Sequence, residues 1–148
     1  MIENGEFPMP EGGLTVIPMI DARRMEVYAA PFSVSAAQVS AGKAKNLIVT
    51  PLAEVRPVVV GNGSFAEALT AGAVIFIGDG VDKCRGTIAA FAAEKGIAAP
   101  CFVQQCPEAS SMLRPALDLF DRGAFEDVAY FEPFYLKEFV ATVGKRLF

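Results

Sequence analysis

The sequence predicts an α/β domain built on a mixed sheet, and three stretches carry that prediction. Val74-Ile75-Phe76-Ile77 is an apolar run too short for a buried helix. It breaks into Gly78-Asp79-Gly80 and is followed over residues 81–95 by Ile88, Phe91 and Ala92 at helical spacing. Residues 14–21 and 25–32 read as two strands with only Ala22-Arg23-Arg24 between them, which forces an antiparallel hairpin. Residues 100–103 form a second short apolar run after the helix stops at Gly96, so the intervening helix makes a right-handed crossover between parallel strands.

Composition narrows the class. With 148 residues the chain has the length of one domain. Hydrophobic residues make up 53% and charged residues 20%, and the mean hydropathy is +0.38. This predicts apolar surface intended for a partner. No apolar run is long enough to span a membrane, and Met1-Ile2-Glu3-Asn4-Gly5-Glu6 has neither the basic nor the apolar region of a secretion signal. A net charge of −4 argues against direct binding to nucleic acid, which needs clustered Lys and Arg. Cys84, Cys101 and Cys106 lack metal-ligand spacing and fit a reduced, cytoplasmic setting. The chain has no histidine, which excludes His-based triads and His-ligated zinc.

In chain order, residues 1–13 are rich in Pro and Gly without periodicity and are expected to be a leader or linker remnant, with the domain occupying 14–148. Pro18 in the first strand predicts a bulge or a position that the ladder leaves unbonded. Arg23 and Arg24 on the hairpin turn read as solvated or paired, with anion binding as the alternative. Residues 33–44, rich in Ser, Ala and Gly, predict a loop, with room for one helical turn from Ser35, or alternatively a mobile insertion. Residues 46–49 and 55–60, divided by Pro51, predict one interrupted strand or a strand with an extended lead-in. Ser64-Phe65-Ala66-Glu67 has the form of a capping box opening a short helix that ends at Gly72.

Beyond the second parallel strand, Leu113, Ala116, Leu117 and Phe120 predict a helix over 108–122, stopped by Gly123, with Pro115 either near its first turn or kinking it. The tail holds Tyr130, Phe131, Phe134 and Tyr135 around Pro133, read either as core closure or as a partner-binding strip. Three antiparallel strands followed by two crossover-linked parallel strands give a ribonuclease-H-like arrangement: a mixed five-stranded sheet of order 3-2-1-4-5 with helices packed on it.

The turn after the central run decides between two functional readings. A helix that opens after a glycine turn offers free N–H groups and a positive dipole end to phosphate. Gly78-Asp79-Gly80, however, lacks the third glycine of a dinucleotide fingerprint and the Gly-Lys-Ser/Thr of a P-loop, and Asp79 puts a negative charge where an anion would sit. In the plainer reading the glycines make a tight strand-to-helix connection, with Lys83 solvated on the first turn of the helix.

Three segments go beyond architecture: 20–28 (Ile20-Asp21-Ala22-Arg23-Arg24-Met25-Glu26-Val27-Tyr28), 76–84 (Phe76-Ile77-Gly78-Asp79-Gly80-Val81-Asp82-Lys83-Cys84) and 125–137, which begins Phe125-Glu126-Asp127 and contains Tyr130-Phe131-Glu132-Pro133-Phe134-Tyr135. Together they resemble the C-terminal domain of the TsaB family of tRNA threonylcarbamoyladenosine biosynthesis proteins, glycoprotease-like members of the actin-like ATPase superfamily, over roughly residues 14–143. The resemblance implies a non-catalytic scaffold that supports the catalytic subunit TsaD, together with the ATPase TsaE. It also implies a two-domain protein whose N-terminal, dimer-forming domain is absent from this sequence; a homodimer is a further possibility.

Asp21, Gly78, Asp79, Gly80 and Lys83 fall where the catalytic relatives bind nucleotide, and the resemblance implies that this site is degenerate. The hairpin carries no glycine, and Asp79 replaces one in the second turn. No cofactor, metal or catalytic residue is expected, and the peptidase label of the family is read as inherited. The rival reading is a nucleotide-binding actin-like ATPase or small-molecule kinase domain that uses Gly78, Gly80 and Lys83.

Overall fold

The computed structural model describes residues 9–10, 13–40 and 43–137. Its contacts divide the chain into two units, Met1–Glu108 and Ala109–Phe148. That boundary falls within the stretch read above as one domain. Most of the expected leader, residues 1–8 and 11–12, lies outside the described residues.

The first unit is mixed α/β. Its strands are β1 (Leu14–Asp21), β2 (Glu26–Ala29), β3 (Phe32–Ser40), β4 (Lys43–Pro51), β5 (Arg56–Val59), β6 (Val74–Gly78) and β7 (Cys101–Gln104). Its helices are α1 (Ala66–Ala71) and α2 (Val81–Glu94). The strands pair in the order β4-β3-β1-β2-β5, while β6 runs parallel to β1, and β7 runs parallel to β6. This differs from the expected five-stranded order 3-2-1-4-5. The hairpin partner of β1 and its parallel neighbour are found, but seven strands replace five.

Local chemistry explains the extra strands. The second expected strand is interrupted at Ala30-Pro31, where proline has no N–H to give a ladder and its carbonyl accepts from the Leu52 amide at 2.9 Å. The register along β1 nonetheless continues unbroken, from Leu14↔Val34 to Asp21↔Val27. Across the next ladder, three steps from Phe32 to Ala29 oppose five from Pro51 to Arg56. The two extra residues bulge out around 52–55, ending β4 and restarting β5.

Residues 33–44, expected as a loop, instead supply most of β3 and the start of β4, pairing from Phe32↔Pro51 to Ser40↔Lys43. Their small and polar side chains gave no strand signal, because pairing with a neighbour rather than propensity determines the conformation. The capping box is also not formed. The residue before α1 is Phe65, at φ 66° and with no side-chain cap, while Ser64 Oγ accepts from the Gly61 amide at 2.9 Å.

Alternation places the core. Ile17 and Met19 of β1, Val27 and Ala29 of β2, and Val74 and Phe76 of β6 face α1 and α2, where Leu69, Val81, Cys84 and Ile88 complete a buried cluster. Phe76, fully buried, is the centre: it stacks on Phe102 at 5.5 Å and meets Phe65 edge-on at 5.4 Å. The intervening residues Leu14, Val34 and Ile75 form a second cluster on the opposite face with Met9, Val16, Leu47, Ile77 and Val103. Among the described residues, no helix of this unit contributes to it.

The second unit contains a 3₁₀ turn (Ala109–Met112) and α3 (Leu113–Asp121). Pro115 is the third residue of α3, where its missing N–H costs nothing, and the helix stops before Gly123 at φ 65°. Phe120 and Phe125 meet edge-on at 5.6 Å across that stop. Asp127 then turns the chain, its carboxylate accepting from the Ala129 amide at 2.9 Å and its carbonyl from the Phe131 amide at 2.8 Å.

Candidate functional site

Because β1 and β6 are parallel neighbours, they end side by side, with Pro18 opposite Ile77. Their C-terminal ends, where open α/β sheets bind ligands, carry the hairpin turn after Asp21 and the glycine turn after Gly78. All five residues expected at a degenerate nucleotide site, Asp21, Gly78, Asp79, Gly80 and Lys83, are brought together here.

The two turns are tied directly to each other. The Asp21 amide donates to Asp79 Oδ1 at 2.9 Å, and the Gly80 amide donates to the Met19 carbonyl at 3.1 Å. Lys83, on the first turn of α2, reaches back over the hairpin. Its Nζ donates to Asp21 Oδ1 at 2.6 Å and to the Glu26 carbonyl at 2.7 Å. That carbonyl also accepts from the Ala22 amide at 3.0 Å, so both of its lone pairs are used. Lys83 is therefore not the solvated side chain of the plainer sequence reading; its side chain is 23% exposed.

The glycines serve close packing. A Cβ on Gly78 would collide with the Met19 carbonyl oxygen, and Gly78 also sits at φ 135°. A Cβ on Gly80 would lie 2.8 Å from Val27 Cγ1 and 3.3 Å from the Asp21 amide nitrogen. Both positions need hydrogen in place of a side chain so that the turn can lie against β1 and β2. The hairpin tip shows the reverse: Arg23 and Arg24 hold φ 68° and 49°, left-handed geometry that glycine would supply at lower cost.

Gln104, which closes β7, is a participant that sequence reasoning missed. Its Oε1 accepts from the Asp82 amide at 2.9 Å and its Nε2 donates to the Asp79 carbonyl at 2.9 Å. A side chain from a different strand thus caps the N-terminus of α2, where an anion would otherwise be held. The available signal was positional: a polar residue at the C-terminal end of a parallel strand. Arg85 pairs with Asp82 at 2.8 Å and lies 5.3 Å from the Phe102 ring centre, fixing the same turn from outside.

The electrostatics follow from these contacts. The hydrogen bond from Lys83, then that from the Arg23 amide, holds the Asp21 carboxyl below its ordinary value of 3.8. An ionised carboxylate already accepting these bonds is a poor proton acceptor. Burial raises the Cys84 thiol above its ordinary 9.0, which removes it as a thiolate nucleophile. Among the described residues, no group of three or more His, Cys, Asp or Glu is placed to hold a metal ion. The amides of Asp21, Gly80 and Asp82 are all used internally, so these residues do not fit a phosphate cradle.

Tyr130, Phe131, Phe134 and Tyr135, expected to bind a partner, belong to the second unit and are 60–83% exposed. Among the described residues, no helix is long and apolar enough to cross a membrane.

No protein-family model matches the sequence, and no curated protein is significantly similar to it. A solved structure from Pseudomonas aeruginosa, described as an uncharacterized protein with similarity to peptidase YeaZ, matches with a TM-score of 0.52 at 20% identity. The match covers 86% of this chain and 51% of the other, so the chain spans about half the length of that structure, and what the two share is a fold.

Proposed function

We propose that this chain is a non-catalytic partner domain of the TsaB type, with a ribonuclease-H-like fold, acting in tRNA threonylcarbamoyladenosine modification by supporting TsaD. Two lines support the reading: the family resemblance in residues 20–28, 76–84 and 125–137, and the fold shared with a structure described as similar to YeaZ, a homologue of TsaB. The observation that carries it is the closure of the turns. Asp79, Lys83 and Gln104 occupy with the chain's own groups the bonds that a phosphate would need. A domain closed in this way serves by being held within an assembly, and TsaD and TsaE are the proteins it would assemble with.

The test is a chimera in which residues 14–143 replace the corresponding half of a TsaB protein, assayed in a reconstituted reaction with TsaD, TsaE, tRNA and the threonylcarbamoyl donor. Modified adenosine should form at a rate close to that of the unaltered protein, and the isolated chain should hydrolyse no ATP. A folded chimera that supports no modification, or ATP turnover by the isolated chain, contradicts the proposal.

A further inference from the structure

β4 ends the sheet on one side: among the described residues it pairs with β3 and with no strand beyond it. An end strand offers a row of backbone donors and acceptors that another strand can use, and folded proteins protect such rows with charge, proline or brevity. The other two ends are protected in this way. β5 has four residues, among them Arg56 and Pro57, and β7 also has four. β4 has nine, and its middle, Asn46-Leu47-Ile48-Val49-Thr50, is uncharged and rich in β-branched residues. Ile48 and Val49 point to opposite faces of the sheet and are 56% and 57% exposed, so the edge is open on both faces.

Which backbone groups face out follows from the register. The Leu52 amide donates to the Pro31 carbonyl at 2.9 Å, and pairing with β3 continues unbroken from Pro51 to Leu47. Alternation then turns the backbone groups of Thr50 and Ile48 toward β3, and those of Pro51, Val49 and Leu47 away from it. Pro51, which has no N–H, falls on the open side, where it costs no ladder bond. The open row thus has amides at Leu47 and Val49 and carbonyls at Leu47, Val49 and Pro51, a spacing that matches an extended backbone. Charge sets the direction of that backbone. Lys43 and Lys45 lie at the start of β4, and Glu54 follows its end. A parallel copy would set lysine against lysine, whereas an antiparallel copy sets the lysine end of each strand against the Glu54 end of the other. The strand is therefore complementary to itself about a twofold axis, and such pairing closes as a dimer.

We propose that β4 is a dimerisation edge, pairing antiparallel with β4 of a second copy about Ile48, so that Leu47 of each copy lies opposite Val49 of the other. These pairs fall on the sheet face of Leu14 and Val34, which no helix of this unit covers, and join the two sheets into one. The edge lies apart from the turns of Asp21 and Lys83 and is not used by the function proposed above. The test follows the isotope-labelled chain by sedimentation and amide hydrogen exchange over a concentration series. A monomer–dimer equilibrium is expected, with the Leu47 and Val49 amides gaining protection of about tenfold or more in the dimer, while those of Ile48 and Thr50, already bonded to β3, keep theirs. Ile48→Lys sets two like charges across the axis and should weaken dimerisation about fivefold to tenfold. Ile48 is exposed, so this variant is expected to fold, and unchanged spectra away from β4 check this. In a Cys106→Ser background, Ile48→Cys faces its own copy across a non-hydrogen-bonded pair and should oxidise to a covalent dimer, whereas Thr50→Cys should not. A chain that stays monomeric to millimolar concentration, a dimer whose Leu47 and Val49 amides exchange as in the monomer, or a covalent dimer formed as readily by Thr50→Cys overturns the proposal.

Discussion

At the scale of the residue, the site is a set of positions where one atom more or less changes the structure. Gly78→Ala adds a Cβ against the Met19 carbonyl at a backbone angle that disfavours side chains. It is expected to cost about 2–4 kcal/mol in chemical denaturation. Gly80→Ala meets Val27 Cγ1, the end of a side chain that can shift, and should cost less, about 1–3 kcal/mol. Equal and negligible losses would show that the turn does not lie against β1. Asp21 supplies a pH signature. Its carboxyl is depressed in the folded chain, so the stabilisation it brings is complete above 3.8 and lost as pH falls through the lower folded value. Melting temperature against pH should therefore fall less steeply at acid pH for Asp21→Asn than for the parent. For Cys84 the sign reverses: burial raises the thiol, so its contribution holds below 9.0 and fades as pH rises through the folded value. A thiol reagent should modify exposed Cys106 readily and fully buried Cys84 only on unfolding.

At the scale of the element, the N-terminus of α2 is satisfied from β7. Gln104→Ala removes the acceptor for the Asp82 amide and the donor to Asp79, and is expected to cost about 0.5–2 kcal/mol, read from denaturation midpoints. The sequence showed why α2 and β6 exist, through their periodicities and the glycines that bound them. It did not show Gln104, because a cap borrowed from another strand leaves no mark at the helix it caps. The same limit applies to β3 and β4. Ser33, Ser35 and Ala36 carry no strand propensity, and the ladder to residues 47–50, joined at Ser33 by Thr15 of β1, makes them extended. At α1 the local pattern was legible but misleading, since Ser64 spends its hydroxyl oxygen on the Gly61 amide, and Phe65 takes the position before the helix.

At the scale of the whole molecule, the apolar run of β6 with its glycine turn and following helical pattern, the short link between β1 and β2 and the crossover to β7 were enough to predict a mixed sheet with helices packed on it. Phe76 joins the sheet to Phe65 and Phe102, and Phe76→Ala should cost about 3–5 kcal/mol in the same denaturation assay, more than Gln104→Ala. The strand count was not legible, because Ala30-Pro31 and the bulge at 52–55 break strands without breaking the register along β1. The site residues could be listed from the sequence, but not the fact that Lys83 reaches Asp21 and Glu26, which depends on how α2 lies across the hairpin. That reach is the centre of the account: the chain's own charges and amides hold the two turns together where a nucleotide would enter. The most direct test is a titration of the labelled chain with ATP and magnesium, followed through the amides of Asp21, Gly80 and Asp82. The account predicts no saturable shift at these three up to millimolar nucleotide; micromolar binding that moves all three would contradict it.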